Sequence, residues 1–119
     1  MLAEKSTGKD FFIAPGGSIE LNETPIQALI RELKEEFKIT VNKNDWTFFD
    51  TFFANAAGQE ENIIRMDAFF VNNWQGEPIP DNEVEEILWL TSNIPKGIKI
   101  GSIFEHEVIP RLKRMNLID

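Results

Sequence analysis

The chain has 119 residues, 42% of them apolar, including ten Phe and three Trp; that fills the core of one domain and excludes a disordered segment. A net charge of −8 argues against a protein that wraps polymeric DNA or RNA, while small phosphates stay accessible through divalent cations. The absence of Cys removes disulfide scaffolds, thiolate nucleophiles and Cys-ligated metals, and the single His, His106, makes a multi-His metal site impossible.

Residues 1–10 are polar and close on the turn Gly8-Lys9-Asp10, with no basic and apolar leader of the secretory type. Residues 11–14 form a short apolar run of strand character, stopped by Pro15-Gly16-Gly17. A helix is predicted over 25–37. Thr24 is its N-cap, Pro25 its first position and Gln27 the partner in a capping box. Ile26, Leu29, Ile30, Leu33 and Phe37 recur at three- and four-residue spacing and form its buried stripe. Two aromatic and β-branched strands follow, over 46–54 and 62–73, joined by a hairpin loop over 55–61. In the second, Ile64, Met66, Ala68 and Phe70 share one face, and Arg65 and Asp67 the other. After breaks at Gln75-Gly76 and Pro78-Ile79-Pro80, a shorter strand is predicted over 86–90. A last helix opens at Ser102, with Glu105 as its capping-box partner and Pro110 as a kink. No run approaches the roughly 18 apolar residues that span a bilayer. Two helices among hairpin-linked strands imply an α+β fold with a mixed sheet, in one domain over 1–119.

The first helix carries the chemistry. Glu32, Glu35 and Glu36 stand at i, i+3 and i+4, so their carboxylates crowd one side, away from the apolar stripe. Like charges at this spacing cost about 0.2–0.5 kcal/mol per pair. They also occupy the last two turns, where the macrodipole favours cations. Either this is a solvated face offset by Arg31, Lys34 and Lys38, or the carboxylates serve a cation. Pro15-Gly16-Gly17 brings a backbone of close approach next to Glu20, Glu23 and the acidic helix. Oxygen-only donors of this kind suit Mg²⁺ or Mn²⁺.

Gly17, five residues, Glu23, seven residues and then Arg31-Glu32-Leu33-Lys34-Glu35-Glu36-Phe37-Lys38-Ile39 resembles the Nudix box, G-x5-E-x7-R-E-U-x-E-E-x-G-U, where U is aliphatic. Every fixed position of the box, 17–39, matches except the last glycine, which is Lys38. The resemblance continues through Gly76-Glu77-Pro78 and residues 83–90 and is closest to MutT-type members. It implies a Nudix α/β/α sandwich with a mixed sheet. It also implies a Mg²⁺-dependent hydrolase (Mn²⁺ substituting) that cleaves a diphosphate bond of a nucleoside diphosphate derivative. Carried over by position, Glu35 and Glu36 are the main metal ligands, Glu32 is a further ligand or the general base, and the Gly17 carbonyl is another ligand. Arg31 and Glu23 brace the loop and orient the glutamates. The choice of base stays open.

Outside the box, Glu83 is favoured over Glu86 as a further catalytic or metal-binding glutamate, with Glu60 and Glu61 weaker candidates. Arg65 is read as the partner of Asp67, Trp74 and Trp89 as packing residues, and His106 as a surface or packing residue. Two departures from the pattern bear on the fold. Lys38 stands where a left-handed glycine is expected, which predicts an altered helix exit. The segment Leu2-Ala3-Glu4-Lys5 resembles a strand that relatives precede with another, so the N-terminal strand is read as missing. The sheet edge left open would be covered by a second copy in a homodimer. The function these features imply is a cytoplasmic pyrophosphohydrolase acting on a nucleoside triphosphate, including oxidised ones such as 8-oxo-dGTP. The chain has no Tyr, which speaks against a dinucleoside-polyphosphate substrate. The alternatives are a nucleotide-sugar pyrophosphatase and a non-catalytic Nudix-fold nucleotide-binding or regulatory module.

Overall fold

The computed structural model describes residues 1–56, 59–81 and 83–119. Its elements are β1 (Leu2–Ser6), α1 (Pro25–Phe37), β2 (Trp46–Ala56), β3 (Gln59–Val71), β4 (Val84–Trp89), a π-helical turn (Phe104–Val108) and α2 (Ile109–Arg114). Strands β1 and β4 pair antiparallel. Beside them, Glu4 bridges Ile13 in antiparallel fashion and Phe12 bridges Ile100 in parallel, so the central sheet is mixed. At Glu4, β1 therefore has a neighbour on each side. Strands β2 and β3 form a separate antiparallel ribbon.

Side chains on opposite faces of β1 and β4 belong to different cores. Leu2, Val84 and Ile87 pack with Leu33 and Phe37 of α1. Ala3, Leu88 and Leu90 pack with Phe104, Val108, Ile109 and Leu112, and the ribbon adds Phe52, Met66 and Phe70 to that side. Val84 and Ile87 share a face although three residues apart, because the register shifts there and leaves Glu85 as an extra residue. Helix on sheet on helix is the layering that the resemblance implies, and it presents the α1 face of β1 to the end of α1.

Helix α1 starts as its sequence dictates. The Thr24 hydroxyl accepts from the Gln27 N–H, the Gln27 side chain accepts from the Thr24 N–H, and Pro25 occupies the first turn. Its exit differs from expectation: Lys38 adopts the left-handed conformation itself, at φ 60° and ψ 29°. Four carbonyls at this end of the helix find donors. Leu33 accepts from Ile39, Lys34 from Lys38, Glu36 from Asp81 and Phe37 from Ile79. Residues 79–81 thus wrap the C-terminal end of α1, and the Lys38 Nζ reaches Asp81 at 2.8 Å. Lys38→Gly relieves the left-handed strain but loses this half-exposed ion pair. It is expected to stabilise the chain by a few tenths to about 1 kcal/mol, read from the urea midpoint.

Both ribbon strands run further than their composition suggested, β2 to Ala56 and β3 from Gln59. The loop tip at 57–58 and the side chains of Glu60 and Glu61 lie outside the described residues. The expected cap at Ser102 is not formed: the Gly101 carbonyl accepts from Phe104 and Glu105, which puts Ser102 inside the first turn. Pro110 does not break this helix. It has no N–H to give the carbonyl four residues back, and the preceding turn widens so that the Ile109 N–H reaches the Phe104 carbonyl. Arg111 then lies over the ring of Phe49, 4.6 Å from its centroid, and pairs with Asp50 at 2.6 Å, tying the ribbon to α2. No helix among the described residues is long and apolar enough to cross a membrane.

Candidate active site

A cavity of about 690 Å³ opens where α1, β1, the loop 16–20 and the start of β4 meet. Its lining includes Gly17, Glu32, Glu35, Glu36 and Glu83, with Arg31 as the cation among them. Four elements far apart in sequence thus converge on the acidic face of α1.

Arg31 organises the cluster. Its Nε and Nη2 donate to the two oxygens of Glu23 at 2.8 and 3.1 Å, and Nη2 also donates to the Ser18 carbonyl at 3.0 Å. Its Nη1 donates to Glu32 at 2.9 Å and to Glu35 at 3.4 Å. Glu23 in turn accepts from the Glu20 backbone N–H at 2.9 Å, so one guanidinium holds both the loop and two helix carboxylates. The Arg31 hydrogen bonds hold the Glu23 carboxyl below its ordinary pKa. The crowding of like charges on α1 is offset by the residue beside them.

Gly17 packs directly on Glu32: a Cβ there would lie 2.5 Å from the Glu32 carboxyl carbon, so a larger residue would push the Glu32 carboxylate from its place. Glu36 lies deeper. Burial, followed by the charges of Glu32, Glu83 and Glu35, raises its pKa above the ordinary value. The backbone N–H of Glu83 faces its carboxylate, and the Glu83 carbonyl accepts from the Thr7 N–H at 2.8 Å. Glu86 points to the other face of the sheet, where it pairs with Lys5 at 3.5 Å. Of the two glutamates weighed near β4, Glu83 is the one the fold brings to the cavity.

The cavity contains a residue that sequence reasoning passed over. Glu4 projects from β1 beside Ile87, on the face toward α1, and is only 6% exposed. Burial first, then the charges of Glu36 and Glu32, raises its pKa to about 7. Its Oε2 and the Oε2 of Glu36 are both buried without a hydrogen-bond partner. The available signal was a charged residue at an inward position of a short strand, alternating with Leu2.

The remaining candidates fall outside the cluster. Arg65 pairs with Asp67 at 3.2 Å. Trp74 and Trp89 stack on each other, with centroids 6.0 Å apart. His106 is exposed on the π-helical turn, near Glu105. A second cavity of about 1000 Å³ shares Gly16, Gly17 and Ser18 with the acidic one and is lined mainly by apolar side chains, Leu29, Met66, Phe70 and Trp74 among them.

The donor set fits a hard divalent cation: it is oxygen-only and anionic, and it includes buried oxygens with no protein partner. Among the described residues no three acidic or imidazole side chains converge into a closed cage. Arg31 instead draws Glu32 and Glu35 toward itself.

The chain is similar to known proteins in sequence and in fold. The chain is 41% identical over 73 residues to the 8-oxo-dGTP diphosphatase of Proteus vulgaris, a match covering 61% of each chain. It is 34% identical over 93 residues to that of Haemophilus influenzae, covering 75% of this chain and 63% of the relative. It therefore spans about three-fifths of the length of these relatives. Among solved structures, a MutT from the study of the Aliivibrio salmonicida and Vibrio cholerae proteins superposes with a TM-score of 0.71 at 22% identity, covering 96% of this chain and 84% of that one. The Escherichia coli ORF135 protein superposes at 0.67 and 21% identity, covering 98% and 79%. Both are similar in fold. The family model described as the NUDIX domain matches residues 1–111, and with the box residues gathered around one cavity the chain belongs to the NUDIX domain family.

Proposed function

We propose that this chain hydrolyses a diphosphate bond of a nucleoside triphosphate, oxidised forms such as 8-oxo-dGTP included, to give the monophosphate and pyrophosphate with Mg²⁺, or Mn²⁺ in its place. The observation that carries the reading is the convergence of Glu32, Glu35 and Glu36 with Gly17 on one cavity, braced by Arg31. The names of the relatives support the triphosphate as substrate. The apolar cavity that adjoins at Gly16–Ser18 offers room for a nucleoside beside the carboxylates.

In this reading Glu35, Glu36, Glu32 and the Gly17 carbonyl hold the cation, which when bound offsets phosphate charge and polarises the diphosphate. Arg31 and Glu23 keep the loop and the helix glutamates in register. Glu83 adds a carboxylate from the start of β4. Water attacks a phosphorus, its proton passes to a carboxylate of the cluster, and the P–O bond bridging the monophosphate and the pyrophosphate breaks. The substrate is a small molecule and the site of action the cytoplasm. A homodimer belongs to the same reading, supported by exposed Phe53, Ile63 and Ile64 on the β2–β3 ribbon.

The test is phosphate release from a panel of nucleotides and nucleotide sugars, coupled to an added pyrophosphatase, with Mg²⁺ and then with EDTA. Release from a triphosphate that requires the cation is the expected result. Turnover of nucleotide sugars alone would move the substrate class. No turnover from folded protein would favour the non-catalytic module.

A further inference from the structure

The three box glutamates all come from one helix, Glu32, Glu35 and Glu36 of α1. A small divalent cation needs oxygens from several directions, and one helix face covers only one side of it. Glu4 stands on another wall. It comes from β1, is 94% buried by its 6% exposure, lines the same cavity and leaves Oε2 unpartnered. The Oε2 of Glu36 is buried and unpartnered in the same way. A buried carboxylate oxygen without a donor is costly, and two in one cavity are costlier still unless a cation lies between them. Arg31 does not serve either oxygen, because its donors go to Glu23, Ser18, Glu32 and Glu35.

We infer that Glu4 is a ligand of the divalent cation, forming with Glu36 the inner wall of a site that Glu32 and Glu35 complete from its rim. The inference rests on the cation-dependent reading above and extends it with a residue from outside the box. It explains why a strand with apolar Leu2 and Ala3 carries a glutamate at a buried position. One bound cation neutralises both enclosed acids.

The experiment is Mn²⁺ binding to the metal-stripped full chain, followed by the electron paramagnetic resonance of free Mn²⁺, for wild type, Glu4→Gln and Glu4→Asp. Melting of each apo protein is recorded alongside. Glu4→Gln is isosteric and removes the charge. Glu4→Asp keeps the charge but withdraws it by one methylene. As a ligand, Glu4 predicts that both variants lose about tenfold or more in Mn²⁺ affinity, with the apo melting temperature of Glu4→Gln at or above that of wild type. If Glu4→Asp binds as tightly as wild type, Glu4 supplies only background charge and the inference is wrong. If Glu4→Gln binds as tightly, Glu4 is a neutral buried acid and the inference is again wrong. Wild type that binds no Mn²⁺ overturns the cation reading of the whole site, an outcome distinct from wild type that binds while the variants match it.

Discussion

Glu35→Gln is expected to lower turnover of a nucleoside triphosphate by about 10²- to 10³-fold while leaving folding stability within about 0.5 kcal/mol of wild type. The two halves of that expectation have separate causes. The Glu35 side chain is half-exposed at the cavity rim, and Arg31 Nη1 reaches it at 3.4 Å, the longest of the Arg31 hydrogen bonds. Gln keeps the shape and can still accept that bond, so packing and the Arg31 brace survive. What disappears is a negative charge beside Glu32 and Glu36, where the proposed reaction holds a cation and a polyphosphate together. A cation's contribution to such a transition state is several kcal/mol, and about 3–4 kcal/mol corresponds to the stated fold-change. Glu32→Gln is a less clean probe, because Glu32 touches both Arg31 and the Gly17 backbone. Steady-state kinetics over a range of Mg²⁺ concentrations measure the effect. A variant that retains most of the wild-type rate at saturating Mg²⁺ would remove Glu35 from the reactive cluster.

Where sequence and structure agree, the signal was local. Helix α1 is specified by Thr24, Pro25, Gln27 and an apolar stripe, all within fourteen residues of one another, and it spans the residues that pattern marks. The convergence of Gly17, Glu23 and Arg31 was visible only as a spacing, and the fold turns that spacing into the Arg31 hydrogen bonds and the packing of Gly17 on Glu32. The features that escaped depend on tertiary partners. A five-residue strand such as β1 alternates between two faces, and both are covered here, so its pattern does not say that Glu4 faces α1. The π-helical turn before Pro110 likewise follows from the Ile109–Phe104 hydrogen bond, whereas a proline in a helical pattern reads as a kink. Lys38 keeps the left-handed exit because Ile39, Ile79 and Asp81 bond to the carbonyls around it, a constraint supplied largely from forty residues away.

The pH dependence of stability follows from Glu4. Its pKa is raised in the folded chain from 4.5 to about 7, by burial first and by Glu36 and Glu32 next. The folded state therefore holds a proton that the unfolded state has released between those two values. Stability is full below pH 4.5 as far as this group is concerned, and falls as pH rises toward 7. The whole loss is at most about 3 kcal/mol, since each unit of difference corresponds to about 1.4 kcal/mol. Glu36, whose pKa is also raised, adds a decline of the same sign, whereas Glu23, held low by Arg31, contributes stability that is lost on acidification. Glu4→Gln removes the largest of these slopes. In EDTA its urea-unfolding free energy is expected to match wild type near pH 4.5 and exceed it by up to about 3 kcal/mol at pH 8. It also relieves Glu36 of a neighbouring charge, so part of the second slope goes with the first. Identical pH profiles for the two proteins would mean that Glu4 is ionised in the folded chain at no cost, and the buried, unpartnered oxygen would then have another explanation. A gap that opens with pH and closes when Mn²⁺ is added to wild type would join the stability of the fold to the cation proposed for its acidic cavity.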